Sequence, residues 1–239
     1  MELKDYLKDG SKQLGISLDD NQIKQFFMFK DLLLEWNNKI NLTAIVDEKE
    51  IIIKHFLDCL SVGQFIDLDF AGNIIDVGTG AGFPGIPLKI AYPNLKITLL
   101  DSLNKRINFL EELVCQLNLK DVTCVHGRAE ELGQNKDYRE SYDLCISRAV
   151  AHLSVLAEYT LPFIKVGGTL VSMKGVNVED ELNDSLKAID TLGGEIADMK
   201  DVTIPFSDIN HRIILIKKVR LTPTKFPRKP GKPSRSPIK

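Results

Sequence analysis

The chain has 239 residues, 44% of them hydrophobic and 27% charged, an ordinary soluble composition long enough to bury a core without disulfides or metals. No run approaches the roughly 18 apolar residues that a membrane helix needs, and Met1 to Gly10 carries Glu2, Lys4, Asp5, Lys8 and Asp9 in place of an apolar leader core, so the chain is expected in the cytoplasm. The net charge of −2 is unevenly divided: Lys217 to Lys239 holds nine Lys or Arg and no acid, against 22 basic and 33 acidic residues elsewhere, an acidic body with a basic tail suited to a polyanionic partner.

Residues 1 to about 65 are predicted helical. Asp19 and Asp20 are good cap residues ahead of Ile23, Phe26, Phe27, Leu33, Leu34, Trp36 and Ile40, an apolar stripe at helical spacing that reads as core. A second helical stretch should begin near Asp47 and carry Ile51, Ile52, His55, Phe56 and Leu57.

From Asn73 short β-rich runs alternate with helical ones. Strands are predicted at 73–77, 96–101, 122–126, 142–147 and 168–173, and helices at about 84–92, 103–118, 152–162 and 177–192, with Gly167–Gly168 closing the third of these. The alternation is that of a doubly wound, mostly parallel α/β sheet. Two last strands, about 194–204 and 211–219, are too closely joined for a parallel crossover and should pair antiparallel. Beyond Arg220 five prolines and a glycine exclude a regular helix or central strand, which predicts an extended, loosely held tail. The expected division is a helical cap at 1–65, a Rossmann-like domain at 66–220 and a basic tail at 221–239.

The strongest motif runs from Ile74 to Gly85, Ile-Ile-Asp-Val-Gly-Thr-Gly-Ala-Gly-Phe-Pro-Gly. It joins a strand to a helix, as a nucleotide-binding glycine loop does, and Pro84 suits the first helical turn. Asp101 ends the second strand, where an acid accepts hydrogen bonds from ribose hydroxyls. A dinucleotide fingerprint would need a third glycine where Phe83 stands, which speaks against a nicotinamide dehydrogenase. The acid-led Asp76-x-Gly78-x-Gly80-x-Gly82 instead resembles the first motif of class I methyltransferases. S-adenosylmethionine has no pyrophosphate, but it has an amino group to pair with a carboxylate such as Asp76. Gly127–Arg128–Ala129–Glu130 follows the third strand, where such enzymes line the adenine; it reads equally well as a helix start with an acid in its first turn. Arg148 ends the fourth strand, facing the crevice where ligands bind in open α/β sheets.

These segments occur in order with others: Trp36–Asn37-x-x-Ile40–Asn41–Leu42–Thr43–Ala44, His55–Phe56–Leu57–Asp58, Ser147–Arg148–Ala149–Val150 and Pro227–Arg228–Lys229–Pro230–Gly231. Together they resemble the glucose-inhibited division protein B family over essentially the whole chain. The resemblance implies a 16S ribosomal RNA (guanine-N7) methyltransferase that uses S-adenosylmethionine. It also implies that Gly78, Phe83, Ala129, Glu130 and Arg148 match cofactor-binding positions. Cys59 stands where many relatives have serine.

Guanine N7 has an in-plane lone pair and carries no proton, so direct attack on the methyl needs no general base, and catalysis would rest on alignment. The chain has no Pro–Cys dipeptide, the usual setting of the nucleophile for pyrimidine C5 methylation, and no Asn/Asp–Pro–Pro–Tyr/Phe for an exocyclic amine. Arg148 is expected to orient the cofactor or to contact O6 or phosphate, since a bond to N7 would block attack. Lys225, Arg228, Lys229, Lys232 and Arg235 are expected to meet RNA phosphates, against the plainer reading of a solvated tail. Lys105, Arg106 and Lys174 are weaker candidates. His55 and Asp58, one helical turn apart, are expected to join the helical cap to the sheet, with a functional pair as the alternative.

No local spacing of His55, His126, His152 and His211 makes a metal site, and Cys59, Cys115, Cys124 and Cys145 form no CxxC pair and read as small buried hydrophobes. No metal or membrane is expected as a partner; 16S rRNA or the small ribosomal subunit is, and nothing demands more than a monomer. The alternatives are a methyltransferase of the same fold with another RNA or protein acceptor, and a non-catalytic RNA- or ribosome-binding protein.

Overall fold

A computed structural model of the chain describes residues 1–70, 72–148 and 151–239. Helix α1 (Leu3–Gln13) packs tightly where Gly10 lies: a Cβ there would stand 2.4 Å from Leu57 Cδ1. Helix α2 (Asp20–Ile40) opens on a capping box in which Asp19 Oδ1 accepts from Gln22 N–H at 2.7 Å and Gln22 Oε1 accepts from Asp19 N–H at 2.8 Å, which satisfies two otherwise orphaned donors. It ends at Asn41, which adopts the left-handed conformation. Asp47 caps α3 (Glu48–Ile51), which continues as a π-helical segment, Ile52–Leu57, and then α4 (Asp58–Leu60).

The sheet follows the expected alternation. Strand β1 (Asn73–Val77), α5 (Gly85–Ala91), β2 (Lys96–Asp101), α6 (Asn104–Gln116), β3 (Val122–His126), α7 (Ala129–Leu132), β4 (Tyr142–Ser147) and α8 (Leu153–Thr160) lead to β5 (Ile164–Gly175), α9 (Glu179–Thr191), β6 (Gly194–Thr203), β7 (Asn210–Lys218) and a final turn, α10 (Lys232–Arg235). Seven strands run in the order β3-β2-β1-β4-β5-β7-β6. All neighbours from β3 to β5 are parallel, and β7 is antiparallel to both β5 and β6. The order reverses between β1 and β4, which opens a crevice at the strands' carboxyl ends.

One boundary differs. Gly167–Gly168 does not close a helix: β5 begins at Ile164 and passes through the glycines, where its register with β4 shifts. Gly167 has φ +91°, and a Cβ on Gly168 would stand 2.6 Å from Asp143 O, so the pair is an irregularity inside a strand.

Two cores flank the sheet. On one side α1, α2 and the π-helical segment share a single apolar cluster with α5, α6 and the sheet, from Leu7, Phe26 and Phe56 to Ile86, Leu99 and Leu113. On the other, α8 and α9 bury Leu153, Leu156 and Ile189 against Ile75, Cys145 and Ile214.

The tail is not loose. Phe226 is buried in this second core, and α10 packs on α8. Prolines leave the tail's carbonyls without ladder partners, and side chains of the body supply them. Arg139 donates to Thr222 O at 2.6 Å and Phe226 O at 2.8 Å, and Gln134 Nε2 donates to Thr224 O and Pro227 O at 3.0 and 2.9 Å. Cys59 and Cys145 are buried, whereas Cys115 is exposed and Cys124 half-buried, so the expectation of burial fails for Cys115. Among the described residues no helix is long and apolar enough to cross a membrane.

Candidate active site

The glycine loop is built around Asp76. Gly78, Gly80 and Gly82 all have φ between +62° and +88°, a conformation that side chains disfavour. Thr79 Oγ1 donates to Asp76 Oδ2 at 2.7 Å and Gly85 N–H to the same oxygen at 2.9 Å. A Cβ on Gly85 would stand 2.8 Å from that oxygen, so only glycine lets the backbone come this close. Asp76 is fully buried and its Oδ1 has no partner among the described residues. Burial pushes its carboxyl up to about 7, against the two hydrogen bonds and the Arg148 charge that pull it down. A buried carboxylate oxygen without a partner is costly and marks a place for a cationic donor such as an amino group.

Asp101 closes the other side. Its Oδ2 accepts from Gly80 N–H at 2.9 Å and from Arg106 Nη1 at 3.3 Å, and its Oδ1 from Leu103 N–H at 2.9 Å. Beside it lies a cavity of about 290 Å³, lined among others by Gly78, Asp101, Arg106, Ala129, Glu130 and Tyr159. Of the residues expected to bind cofactor, Gly78, Asp101, Ala129 and Glu130 therefore share one cavity. Asp76 and Gly80 do not line it: Gly80 N–H meets Asp101, and Asp76 anchors the loop from beneath through Thr79 and Gly85. Glu130 does stand in the first turn of α7, but it is also buried, and its Oε1 accepts from Gly231 N–H at 3.0 Å.

Phe83 and Arg148 stand apart from that cavity, on the side of β4. The Arg148 guanidinium lies 4.8 Å above the Phe83 ring and donates to Asp58 Oδ2 at 2.8 Å and to His55 Nδ1 at 3.3 Å. The His55 ring stacks on Phe83 with centroids 4.5 Å apart, and its Nε2 meets Thr43 Oγ1 at 2.8 Å. Arginine only donates, so His55 Nδ1 accepts and Nε2 carries the proton. Burial, and then the Arg148 charge, lower its pKa to about 4. Asp58 also reaches His211 Nδ1 of β7 at 2.9 Å, and the hydrogen bonds and charges of His211 and Arg148 hold its carboxyl below the usual range despite burial. Thr43 is held in place because Asn37 Oδ1, at the end of α2, accepts from Leu42 and Thr43 N–H at 2.7 and 2.8 Å.

His55 and Asp58 do join the N-terminal helices to the sheet, but they do so through Arg148. His211 and Thr43 were not singled out from the sequence; the pairing of β5 with β7, which sets Gly175 opposite His211, has no local signal. Ala149 and Val150 lie outside the described residues.

The tail cations divide. Arg228 is already paired within the protein: its Nε and Nη2 lie 2.9 and 2.6 Å from Oε1 and Oε2 of the fully buried Glu158, which ties the tail to α8. Arg235 Nε donates to Gly231 O at 3.1 Å. Lys225, Lys229, Lys232 and Arg235 are exposed. Of the weaker candidates, Arg106 is tied to Asp101 and Lys174 to Ala151 O and Glu181, while Lys105 is exposed.

A seven-stranded sheet with an antiparallel penultimate strand in space, an acid-led glycine loop and a second strand-end acid define an S-adenosylmethionine-dependent methyltransferase. The family described as rRNA small subunit methyltransferase G (GidB) matches residues 22–210, and the chain belongs to it. Proteins named ribosomal RNA small subunit methyltransferase G from Alkaliphilus metalliredigens and Alkaliphilus oremlandii are 56% and 59% identical to it, each aligned over the whole of both chains. Among solved structures, TrmN from Thermus thermophilus shares the fold at 15% identity and a TM-score of 0.52, covering 70% of this chain and 53% of its own. A mutant of MtNAS does so at 13% identity and 0.53, covering 90% of this chain and 86% of its own.

Proposed function

We propose that the protein transfers the methyl group of S-adenosylmethionine to N7 of a guanine in 16S rRNA, acting as a monomer in the cytoplasm on the small ribosomal subunit or its RNA. The observation that carries the reading is the buried, unpartnered Asp76 Oδ1 at the start of a glycine loop whose Gly78 lines a cavity together with Asp101. Within it Asp76 takes the amino end, Asp101 the ribose, and Ala129 and Glu130 the adenine. When bound, the cofactor supplies an electrophilic methyl on a sulfonium.

No residue is needed to remove a proton, because N7 has none. The chain's task is alignment in a dry site and an electrostatic setting for a charge that passes from sulfur to the base. Arg148, pinned by Asp58 and His55 over Phe83, is in this reading a positioning residue between cofactor and acceptor. Its Nη1 and Nη2 are tied to Asp58 and His55, which fixes where the guanidinium stands. The expected division of the chain becomes one of labour: residues 1–65 hold Arg148 from one side, 66–220 carry the cofactor, and 221–239 bring Lys225, Lys229, Lys232 and Arg235 toward phosphates.

The test uses methyl-labelled S-adenosylmethionine and 30S particles that lack the modification. Nucleoside digestion of the 16S rRNA should place the label in 7-methylguanosine; label in any other nucleoside, or none, overturns the reading.

A further inference from the structure

A second cavity, of about 340 Å³, opens over the ends of β4, β5 and β7 and is lined by Asp58, Arg148, Met173, Lys174, Glu181 and His211, with Gly175 at its edge. Arg148 forms its border with the glycine-loop side, where the guanidinium covers Phe83. In the reading above, Asp101 at the end of β2 would hold the nucleoside end of the cofactor and Asp76 of β1 its amino end, and this second cavity lies beyond the end of β4, the strand next to β1.

The polar groups in the cavity form an ordered pair. Lys174 Nζ donates to Ala151 O at 2.5 Å and to Glu181 Oε1 at 2.7 Å, which leaves one of its three protons without a partner among the described residues. Glu181 Oε1 also accepts from Leu153 N–H at 2.5 Å, and its Oε2 has no bond among the described residues. Both side chains are largely buried, at 8% and 23% exposure, so the pair is positioned and partly dried. Asp58 in the same cavity is already engaged, with Arg148 Nη1 2.8 Å from its Oδ2 and His211 Nδ1 2.9 Å from its Oδ1.

We propose that this cavity is the acceptor-base pocket and that Lys174 and Glu181 read the Watson–Crick edge of a guanine; the proposal rests on the methyltransferase reading above. A guanine edge presents, in order, the O6 acceptor, the N1–H donor and the N2–H donors. An ammonium beside a carboxylate matches that order: Lys174 donates to O6, and Glu181 Oε2 accepts from N1–H and N2–H. Adenine presents a donor followed by an acceptor, the reverse, and would set like groups against each other. Uracil has the first two groups but no second donor. Reading this edge leaves N7, on the opposite side of the ring, free for the methyl.

The test follows the methyl resonance of Met173 in full-length protein carrying 13C-methyl methionine, titrated with guanosine, inosine and adenosine 5′-monophosphates. Inosine lacks only the N2 amine, so losing one bond to a charged acceptor should weaken it about tenfold relative to guanosine. The Met173 signal should move with guanosine monophosphate, move with the inosine form at about tenfold higher concentration, and stay put with the adenosine form. Glu181→Gln keeps an oxygen for Leu153 and Lys174 but places a donor where Oε2 was, and it should bind the guanosine and inosine forms equally. Lys174→Met should weaken both alike.

A Met173 signal unmoved by guanosine monophosphate, or a Glu181→Gln protein that keeps the guanosine preference, overturns the pocket. Either result beside 7-methylguanosine in digested rRNA would leave the enzymatic reading standing. A guanine response without methyl transfer would sink that reading instead.

Discussion

Replacing Asp76 with asparagine should flatten the pH dependence of stability of the cofactor-free protein. The Asp76 carboxyl rises from an ordinary 3.8 to about 7 because it is buried with one oxygen unpartnered. The folded protein therefore holds a proton that the unfolded chain has already lost, so this group's contribution is full below pH ~4 and is lost as pH rises to ~7. Three pKa units correspond to about 4 kcal/mol, lost at up to about 1.4 kcal/mol per pH unit. Asparagine keeps an oxygen for Thr79 and Gly85 but cannot ionise. Urea unfolding of both proteins at intervals from pH 4 to 8 isolates the effect, because all other titrating groups are common to the two. The wild-type minus variant difference should fall by a few kcal/mol across that window. Parallel curves would refute the claim that Asp76 is buried unpaired. The same carboxylate should make cofactor binding release a proton near pH 6, measurable by calorimetry in buffers of different ionisation enthalpy.

Arg148→Ala should lower single-turnover methyl transfer by at least two orders of magnitude. It should destabilise the fold by about 2 kcal/mol, less than a fully buried pair because both partners keep some exposure; wild-type rates would refute its positioning role. His55 has its pKa lowered to about 4, so its contribution is full above pH ~6.5 and is lost as pH falls to ~4. His55→Gln should remove that slope in thermal melts over the same range. Arg228→Ala leaves the fully buried Glu158 unpaired and should cost about 3–5 kcal/mol, releasing residues 221–239 to limited proteolysis; unchanged protection would refute the role of this pair in tying down the tail. Alanine at Lys225, Lys229 and Lys232 together should reduce the slope of log binding constant against log salt for RNA by about 2, and an unchanged slope removes them as phosphate contacts.

The sheet was readable because its signals are local. Apolar runs of strand length, helical stripes such as Ile23, Phe26 and Leu33, and the Asp19 and Asp47 caps each act within one element. The acid-led glycine loop was readable for the same reason: left-handed turns demand glycine, and the glycines surround the acid they serve. Gly167–Gly168 misled because a glycine pair punctuates a helix end and a strand irregularity alike.

What the chain order could not settle was partnership. Asp58, from the N-terminal helices, meets Arg148, just past the end of β4, and His211 of β7 only after the sheet is assembled. The tail reads as loose by composition, yet Arg139 donates to its carbonyls and Glu158 accepts from Arg228, both about 70 to 90 residues away in sequence. Hydrophobic period and backbone conformation are properties of neighbours along the chain. The pairing of buried charges and carbonyls depends on which groups the packed sheet brings within 3 Å of one another, and that distance exists only in the folded molecule.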